Sequence, residues 1–347
     1  MLPLSYQHRG LLHALLGLAA CHLGSSGIDT SQFNQTSALE HKLSAIQALS
    51  AFLIKEEMLG LNAMEEDITL AIVLLLVLHD ICESGMSSHG THLNGVTFLC
   101  ARFVEQAAEP PSPFRMFLLA ALAWLDVLRG FSGAEKLAYP PEVRRYILAA
   151  NDFSLETLVG CPAEIFHRIG QVLSAGKDFL AGSLSDAEFQ ALLQESEQSL
   201  RDLDLDQEAY PTKDPEWKIL AEAYRHSCIL RILRFPDSFG LPCDDDRVVE
   251  SVVAILDASA EIPRGSAFYK RLLFPLFLAG ADASTPHQKH YVQLCIDEIK
   301  QSTGFRHQAM TGLLDKVWEE RAAKTRGWVN VPWMEFVSLP VLRHFIS

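Results

Sequence analysis

Asp244, Asp245 and Asp246 form an unbroken acidic run, and hard carboxylate oxygens grouped in this way are ligands for Mg²⁺. On a core helix they would serve magnesium-dependent chemistry on a prenyl diphosphate. Their setting argues for another role. They follow Pro242 and precede Val248, Val249, Val252, Val253, Ile255 and Leu256, which is where residues that cap a helix N-terminus sit. No second N-D-x-x-S-x-x-x-E run accompanies them, because Asn151-Asp152-Phe153-Ser154 is one residue too short. The sequence therefore reads them as caps.

The histidine pairs His89/His92 and His287/His290 have i, i+3 spacing, which lets two ligands share a helix face. A zinc site takes three or four ligands, and no Glu or Cys stands at matching offsets, so these read as surface or capping histidines. The seven cysteines (Cys21, Cys82, Cys100, Cys161, Cys228, Cys243, Cys295) form no C-x-x-C pair and are odd in number. They are neither a disulfide framework nor a zinc cluster, and in apolar runs they act as small hydrophobes. No H-E-x-x-H, G-x-S-x-G, G-x-G-x-x-G or P-loop occurs. The chain reads as a non-enzyme.

The remaining concentration is aromatic. Phe274, Phe277 and Leu278 lie in the dense apolar segment 268–281, with Pro275 expected to kink it or to replace a backbone hydrogen bond. Met310, Leu313, Leu314, Val317 and Trp318 fall on one helical face, with Asp315, Lys316, Glu319, Glu320, Arg321 and Lys324 mostly off it. Trp328, Trp333 and Phe336 follow. Phe274, Phe277, Leu278, Met310, Leu314, Trp318 and Trp333 are the candidate wall of an apolar ligand pocket, the alternative being plain core.

These residues need helices to carry them. Residues 7–23 read as a first helix, whose Arg9 and apolar residues 11–21 mimic a secretion signal until His13 interrupts them. Residues 34–58 read as a helix with Leu39, Leu43, Ile46, Leu49, Leu53 and Ile54 inward. Residues 68–78 read as a core helix, about half the ~20 residues a membrane span requires. Ser87 or Ser88 caps the next helix, and Pro110 to Pro113 stop it. Residues 130–160 are irregular or a pair of short helices. Ser185 and Glu188 make a capping box, and the acidic segment 201–214 is a long surface loop between two halves. Strand signals are few. The expectation is an all-α, irregular multi-helix bundle of roughly a dozen helices, a single unit over 1–347 or two sub-bundles, 1–203 and 214–347.

The chain has 347 residues, 49% hydrophobic and 21% charged, with a net charge of −14. That charge excludes gripping nucleic acid through this surface, since phosphate binding needs clustered Lys and Arg.

Residues 221–234 (AEAYRHSCILRILR), 274–281 (FPLFLAGA), 304–321 and 328–336 (WVNVPWMEF), with 74–80 (LLLVLHD) and 89–99 (HGTHLNGVTFL), resemble the C-terminal regulatory region of fungal zinc-cluster transcription factors. This is the fungal-specific transcription factor domain, on the branch of the sterol-responsive regulators. The resemblance covers nearly the whole chain, and its motifs are helix-packing signatures. It implies a nuclear regulator of RNA polymerase II transcription, cytoplasmic when inactive. It also implies an effector-sensing region that takes a hydrophobic small molecule or a coregulator protein; the alternative is a homodimerisation module without a ligand. Zinc is expected only in a six-cysteine cluster N-terminal to such a region. No such array occurs here, so the chain is either the regulatory domain alone or a cluster-less relative, without direct nucleic-acid contact.

Overall fold

Residues 68–77 are apolar on every side apart from Thr69, and all of them are buried. A helix of that kind needs neighbours all round it. The computed structural model describes residues 1–25, 32–84, 90–106, 112–305, 308–323 and 329–337. Among them it has sixteen α-helices and no strand, which is the all-α class. The expected turn at Ser26-Gly27, the caps Ser87 and Ser88, the breaker Pro110-Pro111, and His89, Lys324 and Trp328 lie outside the described residues.

The chain divides into two units. Unit 1 is Met1–Asp126, Ala138–Ser154 and Lys300–Ala309; unit 2 is Val127–Leu137, Leu155–Ile299 and Met310–Ser347. The acidic segment 201–214 lies inside unit 2.

Unit 1 holds α1 (Leu2–Ser5), α2 (Arg9–Ser25), α3 (Gln32–Leu59), α4 (Ala63–Ser84), α5 (Gly90–Gln106), the first part of α6 (Pro113–Ser132) and α7 (Pro141–Ala150). The central helix is α4, packed by α2, α3 and α5. Asn62 caps it, its Oδ1 accepting from the amides of Met64 and Glu65, while Glu65 Oε2 accepts from the Asn62 amide. Arg102 and Arg115 pair with the acidic first turn at Glu66 and Asp67.

The inner face of α3 matches the expected one only in part: Leu49 is buried and Ile46 and Leu53 are half-buried. Leu39, Leu43 and Ile54 are exposed, and Ala38, Ala45, Leu49 and Phe52 are buried. Close approach to α2 decides this. A Cβ on Gly10 of α2 would stand 2.3 Å from the Ala48 Cβ, so the two backbones come together only through small residues.

The segment after α6 is tied by the fully buried Asp126, which accepts from the amides of Ala138 at 2.8 Å and Tyr139 at 2.9 Å. Short helices follow: a 3₁₀ turn at Ala134–Lys136, then α7, then α8 (Ser154–Val159).

Unit 2 contains α8, α9 (Ala163–Leu180), α10 (Asp186–Arg201), α11 (Glu216–Leu233), α12 (Asp246–Glu261), α13 (Leu273–Asp282), α14 (Pro286–Thr303) up to Ile299, α15 (Ala309–Ala323) from Met310, and α16 (Met334–Val337). Its centre is α11, buried along most of its length and packed by α9, α10, α12 and α13. Ser185 and Glu188 form the expected reciprocal box at the start of α10. Asp245 caps α12, its carboxylate accepting from the Arg247 amide at 3.1 Å. His287 and His290 are exposed on α14.

Candidate functional site

The segment 268–281 does not run as one helix. Tyr269–Leu272 is a 3₁₀ turn and α13 begins only at Leu273. Pro275 therefore sits in the first turn, where a backbone N–H has no helical partner to lose. Neither a mid-helix kink nor a lost hydrogen bond results. From Pro275 to Asp282 every residue of α13 is buried.

The C-terminal end of α13 leaves carbonyls that the helix itself cannot satisfy. Two side chains of α15 reach them. Trp318 Nε1 donates to the Gly280 carbonyl at 2.9 Å, and Arg321 donates to the carbonyls of Ala281 at 2.7 Å and Ala283 at 3.2 Å. A guanidinium there also faces the negative end of the helix dipole. Gly280 allows the contact, since a Cβ would lie 2.8 Å from Val292 Cγ1 and 3.2 Å from Leu314 Cδ1.

The seven pocket candidates differ in burial and in neighbours. Phe277, Leu278 and Leu314 are buried, while Phe274, Met310, Trp318 and Trp333 keep some exposure. The Phe277 and Trp333 rings meet edge to face at 5.2 Å. Phe274 instead turns to Phe131, centroids 5.0 Å apart. Thus Leu314 and Trp318 gather at Gly280, Phe277 joins Trp333, and Phe274 belongs to a neighbouring cluster.

That cluster carries a charge the sequence did not reveal. Arg231, at the end of α11, is buried, donates through Nε to the Phe131 carbonyl at 2.9 Å and lies 3.6 Å over the Phe235 ring. Its Nη1 has no hydrogen-bonding partner among the described residues. Burial pushes Arg231 down to about 9, with Glu135 acting in the opposite direction, so the guanidinium stays charged at neutral pH.

A second buried polar group closes the C-terminal side. Arg234 donates to Asp282 from Nε at 3.2 Å and from Nη2 at 2.7 Å. Cys243 Sγ donates to Asn330 Oδ1 at 3.2 Å, and Asn330 Nδ2 donates to the Ser238 carbonyl at 2.8 Å. Arg321 also donates to Asn330 Oδ1, at 3.1 Å. Burial alone would lower Arg234, and Asp282 more than reverses it. Burial and Asp282 together push the Cys243 thiol up to about 11. It is a neutral hydrogen-bonding group, not a nucleophile.

The helical pattern sets Arg321 mostly off the apolar face of α15. Its spacing carried the missed signal, since Arg321 is i+4 from the buried Val317 and so shares the inward face. Arg234 and Asp282 left no comparable trace. They are 48 residues apart; Arg234 follows α11 and Asp282 ends the apolar α13.

The described residues form an irregular all-helical fold whose conspicuous polar groups cap and staple helices. The comparison with protein families then gives the family. The fungal specific transcription factor domain matches residues 1–342, so the chain belongs to that family. Neither the curated proteins nor the solved structures contain a match to it. Among the described residues, no helix is long and apolar enough to cross a membrane.

Proposed function

We propose that this chain is the regulatory region of a nuclear transcription factor, acting without catalysis and changing its output when an apolar small molecule enters beside α13. The observation that carries the reading is the family match over residues 1–342. The arrangement around α13 supports the ligand class. Phe274 of α13, and Trp318 and Trp333, which meet α13 at Gly280 and Phe277, keep partial exposure, and mostly apolar walls with a few polar groups are what small-molecule sites use. The net charge of −14 assigns DNA contact to some other segment or subunit.

Thermal melting with sterols, fatty acids and aromatic metabolites tests it, because a ligand bound only by the folded state raises the midpoint. Fusion of the chain to an unrelated DNA-binding domain then reads whether the same compound changes reporter transcription. No shift with any apolar compound removes the ligand and leaves partner binding.

That second reading has its own support on α3. Leu39, Leu43, Ile54, Met58 and Leu59 are exposed by 51–81%, and apolar residues concentrated on one element favour a protein partner or a second copy of the chain. Light scattering decides it: a chain that stays monomeric and captures no coregulator rules this reading out.

A further inference from the structure

Near the C-terminal end of α4, in unit 1, His79, Asp80 and Glu83 bring one donor atom each to within 4.8 Å of the others. His79 and Glu83 are one helical turn apart and so share a face, with Nδ1 and Oε2 separated by 3.7 Å. From α5, His92 places Nε2 3.9 Å from Asp80 Oδ2. Lys42 of α3 sets its ammonium between the two carboxylates, 2.8 Å from Asp80 and 2.6 Å from Glu83.

Lys42 accounts for the two acids as an ion pair, but it leaves His79 unexplained. That side chain is 3% exposed, and neither ring nitrogen makes a hydrogen bond among the described residues. Buried polar atoms are nearly always bonded, and those that are not call for a reason. A cation placed where the two carboxylates converge would supply one.

We propose that His79, Asp80, Glu83 and His92 form a site for a divalent transition-metal ion, which replaces the Lys42 ammonium. Two imidazoles and two carboxylates suit zinc and its neighbours, whereas magnesium and calcium prefer oxygen alone. A divalent ion satisfies both carboxylates, as the ammonium does, and also takes a nitrogen lone pair from each histidine. Metal–ligand bonds of about 2.0–2.2 Å place ligand atoms roughly 3–4 Å apart; the His79–Glu83 and His92–Asp80 pairs meet this at 3.7 and 3.9 Å, while the His79, Asp80 and Glu83 group, within 4.8 Å, must draw in on the ion, and His92 must swing toward it. Glu83 has a half-exposed side chain, so it can close on the ion and leaves a path from solvent. With ligands on α4 and α5, and Lys42 of α3 released, the ion would clamp α4 to α5.

Titration of the purified 347-residue chain with Co²⁺ alone, followed by its visible absorption, tests the assignment. One tightly bound Co²⁺ per chain is expected, with no sulfur charge-transfer band. Affinity should fall about ten-fold or more in His79→Ala and in His92→Ala. Lys42→Met should bind Co²⁺ more tightly than the parent, a gain that misfolding cannot imitate. His290→Ala, which alters the exposed pair on α14, should bind as the parent does. The proposal is overturned by an absence of binding, by unchanged affinity in His79→Ala or Lys42→Met, or by binding that depends on His290. A thiolate spectrum lost in Cys82→Ser would equally overturn it.

Discussion

Trp318 Nε1 donates to the Gly280 carbonyl at 2.9 Å, joining residues 38 apart in sequence. The indole satisfies a carbonyl at the end of α13 while its ring contributes apolar surface beside it. Trp318→Phe keeps most of that surface and removes the donor, so a loss of about 1 kcal/mol is expected. Gly280→Ala acts from the other side by forcing a Cβ against Val292 and Leu314, with an expected loss of about 1–3 kcal/mol. Urea denaturation of the two variants, compared by midpoint at constant slope, measures both.

The Arg234–Asp282 pair gives a sharper result through a double-mutant cycle. Both residues are buried, 4% and 8% exposed. Arg234→Met leaves the Asp282 carboxylate uncompensated and should cost about 3–5 kcal/mol. Arg234→Met with Asp282→Leu removes both charges and should recover much of that loss. If the double variant is no more stable than the single one, the cost comes from the other Arg234 contacts, at Leu241 and Cys243.

Glu222 sets an acid limit. Burial alone would raise its carboxyl, but the hydrogen bonds from His226 and Arg225 outweigh burial and bring it down to about 2, from an ordinary value of 4.5. A folded-state value below the unfolded one stabilises the fold above pH 4.5 and ceases to do so as pH falls toward 2. Urea midpoints at pH 5 and pH 3 should therefore differ more in the parent than in Glu222→Gln. Equal differences would show that other carboxylates carry the acid response.

At the start of α10, Ser185 and Glu188 satisfy each other's amides. Ser185→Ala should cost about 1 kcal/mol, and Ser185→Asp, which keeps an acceptor, should lose less. Thermal midpoints of the two variants rank them.

What the sequence could convey follows from how far apart the interacting groups are. The Ser185 box, the Asp245 cap and the buried run of α4 were legible because each depends on residues a turn apart or on continuous apolar character. The inward face of α3 was legible only in part. Periodicity marked the buried Leu49 but also the exposed Leu39, Leu43 and Ile54, yet the approach of Gly10 to Ala48 turns a face with Ala38 and Ala45 inward, and that choice belongs to the pair of helices. The late start of α13 depended on a 3₁₀ turn that satisfies the same apolar pattern as a helix. At the α13 junction the apolar residues were legible as a cluster. The polar ones, Arg231, Arg234, Arg321 and Asn330, were not, because a charged residue reads as solvated until its distant partner is in view.

The order of the chain adds a constraint in time. Unit 1 takes residues Met1–Asp126 and Ala138–Ser154 but is completed by Lys300–Ala309, so its last piece is translated after most of unit 2. A ribosome-bound chain stopped before residue 300 holds the bulk of unit 1 without its closing segment. No deletion between residues 155 and 299 can spare unit 1 unless it also preserves the return of the chain, and neither unit can be expressed as one uninterrupted stretch.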